Sequence, residues 1–262
     1  LRSVFGLRYT DDEVYSEVTN FFGRQGTDIL QVDGSKVTSR FVIEKDIDEN
    51  RMFYVSYTKG YKPGGSNLTY GRENVVAPIV VLPTFEEEVV DAYEFGLKAD
   101  LAGGRTRINS AVFFYNYEGL QYQATDPELF QGGVSNIPES EIYGAEVELS
   151  TYVTDSMILD ANLSWIETEI TADHFALDNV QSDIATNALL AQGVNQFSDQ
   201  VQIARAAEIT NVKGNELAKT PNFTANLALT WEGYVENWGE FSNSLQYVYR
   251  GDFKHRMFNN PL

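Results

Sequence analysis

The 262-residue sequence predicts an all-β fold: a transmembrane, antiparallel, up-and-down β-barrel wall. Three observations point there. Apolar residues alternate with polar ones over long stretches, the period-two signature of a strand with one greasy face and one wet face. The connections between those stretches alternate short and long, so each kind gathers at one end, as in outer-membrane barrels with short periplasmic turns and long outer loops. Charged residues inside the strands fall on the polar face. A wet lumen tolerates them there, whereas lipid would charge ~2–4 kcal/mol for each Arg or Lys at its midplane.

The strands follow in order. Phe5, Leu7 and Tyr9 alternate with Gly6, Arg8 and Thr10, and a less regular strand covers about Lys36 to Lys45. Phe53, Val55 and Tyr57 alternate with Tyr54, Ser56 and Thr58. Tyr93, Phe95, Leu97 and Ala99 alternate with Glu94, Gly96 and Lys98. After Gly103 and Gly104, which can supply the positive φ of a tight hairpin, Ile108, Val112 and Phe114 alternate with Arg107, Asn109 and Ala111. Tyr143 to Ser150, Leu159 to Trp165, Phe223 to Trp231 and Leu245 to Arg250 repeat the pattern, which brings the total to about nine strands.

The short connections are Asp46–Asn50, Leu101–Gly104, Val153–Met157 and Gly233–Gly239. The long ones are Asp12–Ser35, Gly60–Glu86, Ala124–Ser140 and Thr171–Lys219. Within the last, Asp178–Phe197 has helical spacing, and Ser182 is the expected cap. A soluble sandwich would alternate too, but it would not sort its connections by length.

Composition narrows the function. A net charge of −19 argues against nucleic acid, whose phosphates need clustered Lys and Arg. There is no cysteine, hence no disulfide and no thiolate metal site. No run is apolar and long enough for a transmembrane helix, and the first residues open into a strand pattern rather than a signal peptide. Fifteen Tyr and 16 Phe suit aromatic girdles at membrane interfaces. His174 and His255 fall in different predicted loops, so a two-His metal site is not expected. Glu86, Glu87 and Glu88 could bind a cation or bridge lipopolysaccharide through divalent ions, or simply form a solvated strand end. Glu146 and Glu148 lie two apart on one strand face without an apolar pocket, which does not make a glycosidase pair. No enzyme activity and no cofactor are expected. The Asn67, Asn162 and Asn222 sequons are discounted.

Several stretches resemble TonB-dependent outer-membrane receptors. "FGLRYTDD" (Phe5–Asp12) looks like that family's G-L-R-Y strand, and "YVSYTKGYKPGGSN" (Tyr54–Asn67) is similar to its Y-x-S-Y-(S/T)-K-G strand end. "AYEFGLKADLAGGRTRINSAVFFYNYEGLQ" resembles its YE-x-G-x-K hairpin, "YGAEVELS" its G-x-E-x-E strand, and "GNELAKTPNFTANLALTW" its G-x-x-L-x-x-x-P strand. The resemblance covers nearly the whole chain. It implies a barrel of about 22 strands around an N-terminal plug. On that pattern residues 1–262 are a partial barrel domain, about strands 11 to 19, without the plug, the TonB-contacting box or the closing strands.

The resemblance further implies a bacterial outer-membrane receptor that takes up a scarce, bulky nutrient with energy from TonB. The ferric siderophore is the leading substrate, with cobalamin, haem and oligosaccharide as other members of the class. Implied partners are the TonB complex through the plug, outer-membrane lipid and lipopolysaccharide, and a small-molecule or metal-chelate substrate. A passive porin-like channel and a soluble carbohydrate-binding sandwich are the alternatives. Expected ligand contacts at outer strand ends are Tyr61, Tyr70, Arg72, Tyr117 and Tyr122, with a girdle role as the competing reading for Tyr117 and Tyr122. Tyr93, Phe95, Leu97, Ile108, Val112 and Phe114 are expected to face lipid. Arg8, Glu94, Lys98, Arg105, Arg107, Asn109, Glu146 and Glu148 are expected to face the lumen.

Overall fold

The computed structural model describes residues 1–19, 27–67, 81–125, 132–196 and 198–259. Alternation becomes strand in β1 (Arg2–Thr19), β2 (Thr27–Asp46), β3 (Arg51–Lys62), β6 (Glu88–Leu101), β7 (Thr106–Thr125), β8 (Gly132–Thr154), β9 (Met157–Ile170), β12 (Phe223–Val235) and β13 (Gly239–Arg250). The connections add two short strands, β4 (Gly65–Ser66) and β5 (Thr84–Phe85). They also add β10 (Phe175–Leu177), α1 (Asn179–Leu190), α2 (Asp199–Ala206) and β11 (Ile209–Asn211). The long strands form one nine-stranded antiparallel sheet in next-neighbour order, with β1 and β13 at its two ends. The other two sheets, β4–β5 and β10–β11, have two strands each. Among the described residues no second large sheet packs on the first, which removes the sandwich alternative.

Register assembles the two faces. Phe41 lies opposite Tyr57, Tyr57 opposite Tyr93, Tyr93 opposite Phe114, and Phe114 opposite Tyr143. Trp165 lies opposite Ala145 and Phe223, and Leu227 opposite Tyr247. All share one face, and among the described residues nothing covers its middle: Phe95 is 48% exposed and Val112 53%. Its rings contact one another in a slanting row, Tyr57 with Tyr93 (5.2 Å), Tyr93 with Phe114 (6.5 Å), Tyr143 with Trp165 (6.0 Å) and Phe223 with Tyr249 (6.1 Å). Toward the short turns Trp231 meets Phe241 edge-on at 5.3 Å. Nine register pairs separate Phe223–Trp165 from Trp231–Met157 inclusively, close to the ~9–11 residues of a tilted membrane-crossing strand. An apolar band between two aromatic rows is the outer surface of a membrane barrel.

The polar face carries glycines where a ring must lie flat across the neighbouring strand. A Cβ on Gly96 would sit 2.3 Å from the Tyr54 ring, and one on Gly144 would sit 2.8 Å from Phe113 and 2.3 Å from the Trp165 carbonyl. These are the glycines of the YEFGLK and YGAEVE stretches, so the side chain is missing for close approach rather than for a turn.

The structure corrects several expected boundaries. Two of the long connections are mostly strand. The β1–β2 hairpin stays paired from Asp12↔Gly34 out to Thr19↔Thr27, and β7–β8 stays paired out to Thr125↔Gly132. Polar strand residues beyond the membrane band pair as readily as apolar ones, because the ladder is made by the backbone. The β7–β8 ladder skips Gly119 and Pro138, where proline lacks a donor and Gly119 takes φ 66°. The expected helix exists as α1, but its cap is Asp178, whose carboxylate accepts from the Val180 N–H (3.1 Å) and Gln181 N–H (3.2 Å). Ser182 lies inside the first turn, buried. Helix α2 was not foreseen.

Candidate functional site: the polar wall and its outer rim

The polar face collects the charged strand residues. Arg8 lies opposite Thr38, Glu94 opposite Ser56 and Phe113, Lys98 opposite Met52 and Asn109, and Arg107 opposite Asp100 and Ser150. Glu146 and Glu148 lie opposite Ser164 and Asn162. Glu94, Lys98, Arg107, Glu146 and Glu148 each have a local partner or ring. The Tyr54 hydroxyl donates to Glu94 at 2.6 Å, and Lys98 Nζ sits 5.7 Å above the Tyr54 ring. Arg107 donates to Asp100 at 2.8 Å, Asn109 to Glu148 at 3.2 Å and Ser164 to Glu146 at 3.3 Å. Arg105 instead lies at the turn after Ala102–Gly104 and pairs with Asp155 across the next hairpin at 2.7 Å. It belongs to the short-turn end rather than the strand wall.

The outer rim is built by folding connections back over strand ends. Asn67 works as a clip. Its amide nitrogen donates to the Leu82 and Val134 carbonyls, both at 2.8 Å, and its oxygen accepts from the Val134 N–H at 2.8 Å. Asn136 accepts from the Glu86 N–H (2.9 Å) and donates to the Glu86 and Gly119 carbonyls (2.9 and 2.7 Å). Gln121 donates to the Pro63 and Glu86 carbonyls. A primary amide carries the donor and acceptor of a peptide group, so it can stand in for a strand edge. A Cβ on Gly119 would meet the Glu87 carbonyl at 2.4 Å, so that glycine admits the strap.

The longest connection closes on its own core. Ile137, Ile170, Ala176 and Val212 are buried together beneath Leu120, Tyr122, Leu217, Met257 and Phe258. The Tyr122 hydroxyl lies 2.8 Å from His174 Nε2, with the rings edge to face. Burial pushes the Tyr122 phenol up to about 12 and the His174 imidazole below its usual range. The segment after β13 locks down over this unit. Arg256 pairs with the α1 cap Asp178, Asn215 donates to the Met257 carbonyl at 2.8 Å, and Lys219 N–H to the Lys254 carbonyl at 2.6 Å.

Of the expected ligand residues, the three that are described, Tyr61, Tyr117 and Tyr122, lie in different places. Tyr61 lines a cavity of about 400 Å³ between the β1–β2 hairpin and the strap Thr84–Glu87. Tyr117 lies on the polar face opposite Val90 and Ser140, and Tyr122 lies in the outer core, so neither belongs to the aromatic row of the apolar face. Tyr70 and Arg72 fall outside the described residues. The two histidines stay apart, since His174 meets Tyr122 and His255 meets the Phe253 ring. The three-glutamate run is divided. Glu87 pairs with Lys36, Glu88 accepts from the Gln121 N–H at 2.8 Å, and no group of three or more metal-ligating side chains occurs among the described residues.

A family model described as TonB dependent receptor-like, beta-barrel, matches residues 1–260. The chain belongs to that family. Receptors of this barrel family are outer-membrane proteins of Gram-negative bacteria, and the outer membrane is this receptor chain's location. A curated relative, the probable TonB-dependent siderophore receptor PiuA of Acinetobacter baumannii, is 25% identical over 123 residues, 47% of this chain and 16% of the relative. The solved ferric yersiniabactin uptake receptor FyuA of Yersinia pestis superposes with a TM-score of 0.66 at 16% identity, over 98% of this chain and 32% of that one. The ferric preacinetobactin receptor BauA of Acinetobacter baumannii does so with a TM-score of 0.60 at 14% identity, over 98% and 31%. The chain therefore spans about a third of the solved relatives' length. For the TonB-dependent receptor barrel, sequence reasoning missed the amide clips and the Asp178 cap. Asp178 was available as an acceptor just before a helical run. The clips carry no periodic signal.

Proposed function

We propose that this chain is part of the barrel wall of an outer-membrane receptor that takes up a scarce, bulky nutrient with energy from TonB. A ferric siderophore is the substrate class, ahead of cobalamin, haem or oligosaccharide. The observation that carries the reading is the two-faced nine-stranded sheet. An aromatic-bounded apolar surface lies on one side, and the charged side chains Arg8, Glu94, Lys98, Arg107, Glu146 and Glu148 lie on the other. In this reading the apolar face meets lipid and the outer-rim connections meet lipopolysaccharide. The charged face lines the lumen, about strands 11 to 19 of a wall of about 22, and meets a plug there. The siderophore receptors among its relatives support the substrate class.

Uptake of iron-55 chelates by iron-starved cells tests it. Accumulation should disappear when either the receptor gene or tonB is deleted and return on complementation. Accumulation that depends on the receptor but persists without TonB would favour the passive porin-like channel instead.

A further inference from the structure

The polar face is not neutral at its outer end. The β1–β2 hairpin projects past the last β2–β3 pair, Arg40↔Thr58, so β2 and β3 part above it. Segments Pro63–Gly64 and Thr84–Glu87 face the hairpin there, and Ser16 and Ser66 touch at 2.5 Å. A cavity of about 400 Å³ lies between these segments, the hairpin and Tyr61. Its size falls within the ~300–1,000 Å³ range of small-molecule sites. Gly34 keeps it open, for a Cβ there would stand 3.0 Å from the Tyr61 hydroxyl.

The lining has two characters. Val14, Val32, Pro63, Phe85 and the Tyr61 ring give apolar walls. Asp12, Asp33, Glu86 and Glu87 give carboxylates, of which Glu87 is neutralised by Lys36. Asp12 and Glu86 have no ion pair among the described residues. The Asp12 Oδ2 and Tyr61 Oη atoms are shielded from solvent and lie near one another, and no cation among the described residues pairs with Asp12. Burial and the neighbouring Asp12 hold the phenol protonated, up to about 12, so Tyr61 adds no charge of its own. The site thus presents uncompensated negative charge and apolar walls. No group of three or more metal-ligating side chains is found among the described residues.

We propose that this cavity binds an organic ammonium group carried on a short apolar stem. The carboxylates take the cation and the Phe85 and Tyr61 rings take the stem. If the cargo reading above holds, the substrate of this receptor bears such a group. The assignment rests on that reading only for its biological meaning, because the binding event itself needs neither TonB nor uptake.

Calorimetry on the complete receptor in detergent, with phenethylammonium chloride and the neutral phenethyl alcohol as probes, tests it. The ammonium should bind saturably, and the alcohol should bind weaker by about tenfold or more, the weight of one charge-assisted contact. Glu86→Gln, at an exposed side chain that leaves the strap's backbone bonds intact, and Asp12→Asn should each weaken the ammonium by a similar factor without changing the alcohol. Gly34→Val should abolish binding by filling the cavity. Equal binding of the two probes, no binding of the ammonium, or indifference to both carboxylate changes would overturn the assignment. Loss of iron-chelate uptake with ammonium binding intact would count against the cargo reading alone.

Discussion

The short-turn end and the outer rim of this molecule are joined by the same strands, yet different forces hold them. At the short-turn end the connections Ile47–Asn50, Ala102–Arg105 and Asp155–Ser156 are tight, and exposed ion pairs such as Arg51 with Asp48 and Arg105 with Asp155 decorate them. At the outer rim the chain folds back on itself. It buries Ile137, Ile170 and Val212 and uses side-chain amides in place of backbone. The first region is governed by period-two patterning and local turns. The second is a small aqueous domain mounted on a membrane wall. A substitution therefore acts through lipid in the wall and through packing in the rim.

The largest effect should come from reversing a wall face. Leu163→Arg or Leu227→Arg places a guanidinium on the apolar face and should lower folding stability in lipid vesicles by ~2–4 kcal/mol. Asn162→Arg or Asn226→Arg, one position away on the polar face, should fold nearly as the parent does. Equal losses on both faces would end the two-face reading. Next is the wall's close packing. Gly96→Val drives a side chain into the Tyr54 ring and should destabilise by about 1–3 kcal/mol, and Tyr54→Ala should recover part of it. Urea titrations of the single and double variants measure this.

The rim should answer differently. Asp178→Ala removes the α1 cap and the partner of Arg256, at a local cost of about 1 kcal/mol or more. Limited proteolysis should speed up within residues 171–222 while the vesicle-folding midpoint of the barrel stays put. A shift in that midpoint would mean rim and wall are one cooperative unit.

The smallest effect concerns pH. Burial favours neutral His174, so its folded pKa lies below the ordinary imidazole value of about 6.5. Its contribution is complete above 6.5 and is lost as pH falls through the lower folded value. Lys213 and Asp173, which pair nearby at 3.7 Å, offset one another. Amide exchange at Val212, whose N–H donates to the His174 carbonyl at 2.9 Å, should quicken on going from neutral to mildly acid pH. Amides of β7 within the wall should not change.

The same contrast explains what the residues disclosed. The nine strands, their order and their faces were readable because each depends on a repeat of two and on adjacent partners. Phe95 and Val112 meet for that reason alone. The lengths of β1, β2 and β8 were not readable. Beyond the membrane band both faces are wet and the alternation fades, while the backbone ladder continues. The rim was readable in part. Helix α1 showed its period, but the choice of Asp178 over Ser182 as cap depends on where the chain turns after β10. That Asn67 would reach Val134 depends on a fold-back spanning 67 residues. Of the ligand candidates among the described residues, Tyr61 was placed against a cavity, and nothing in its local pattern distinguished it from Tyr117.

The Asn67 clip also depends on carrying no charge. A carboxylate in place of its primary amide would erase both donated bonds, to Leu82 and Val134, and leave an anion at a site only 5% exposed. Asn136 is poised the same way against Glu86 and Gly119. These two joints between connection and wall therefore each hang on one neutral amide.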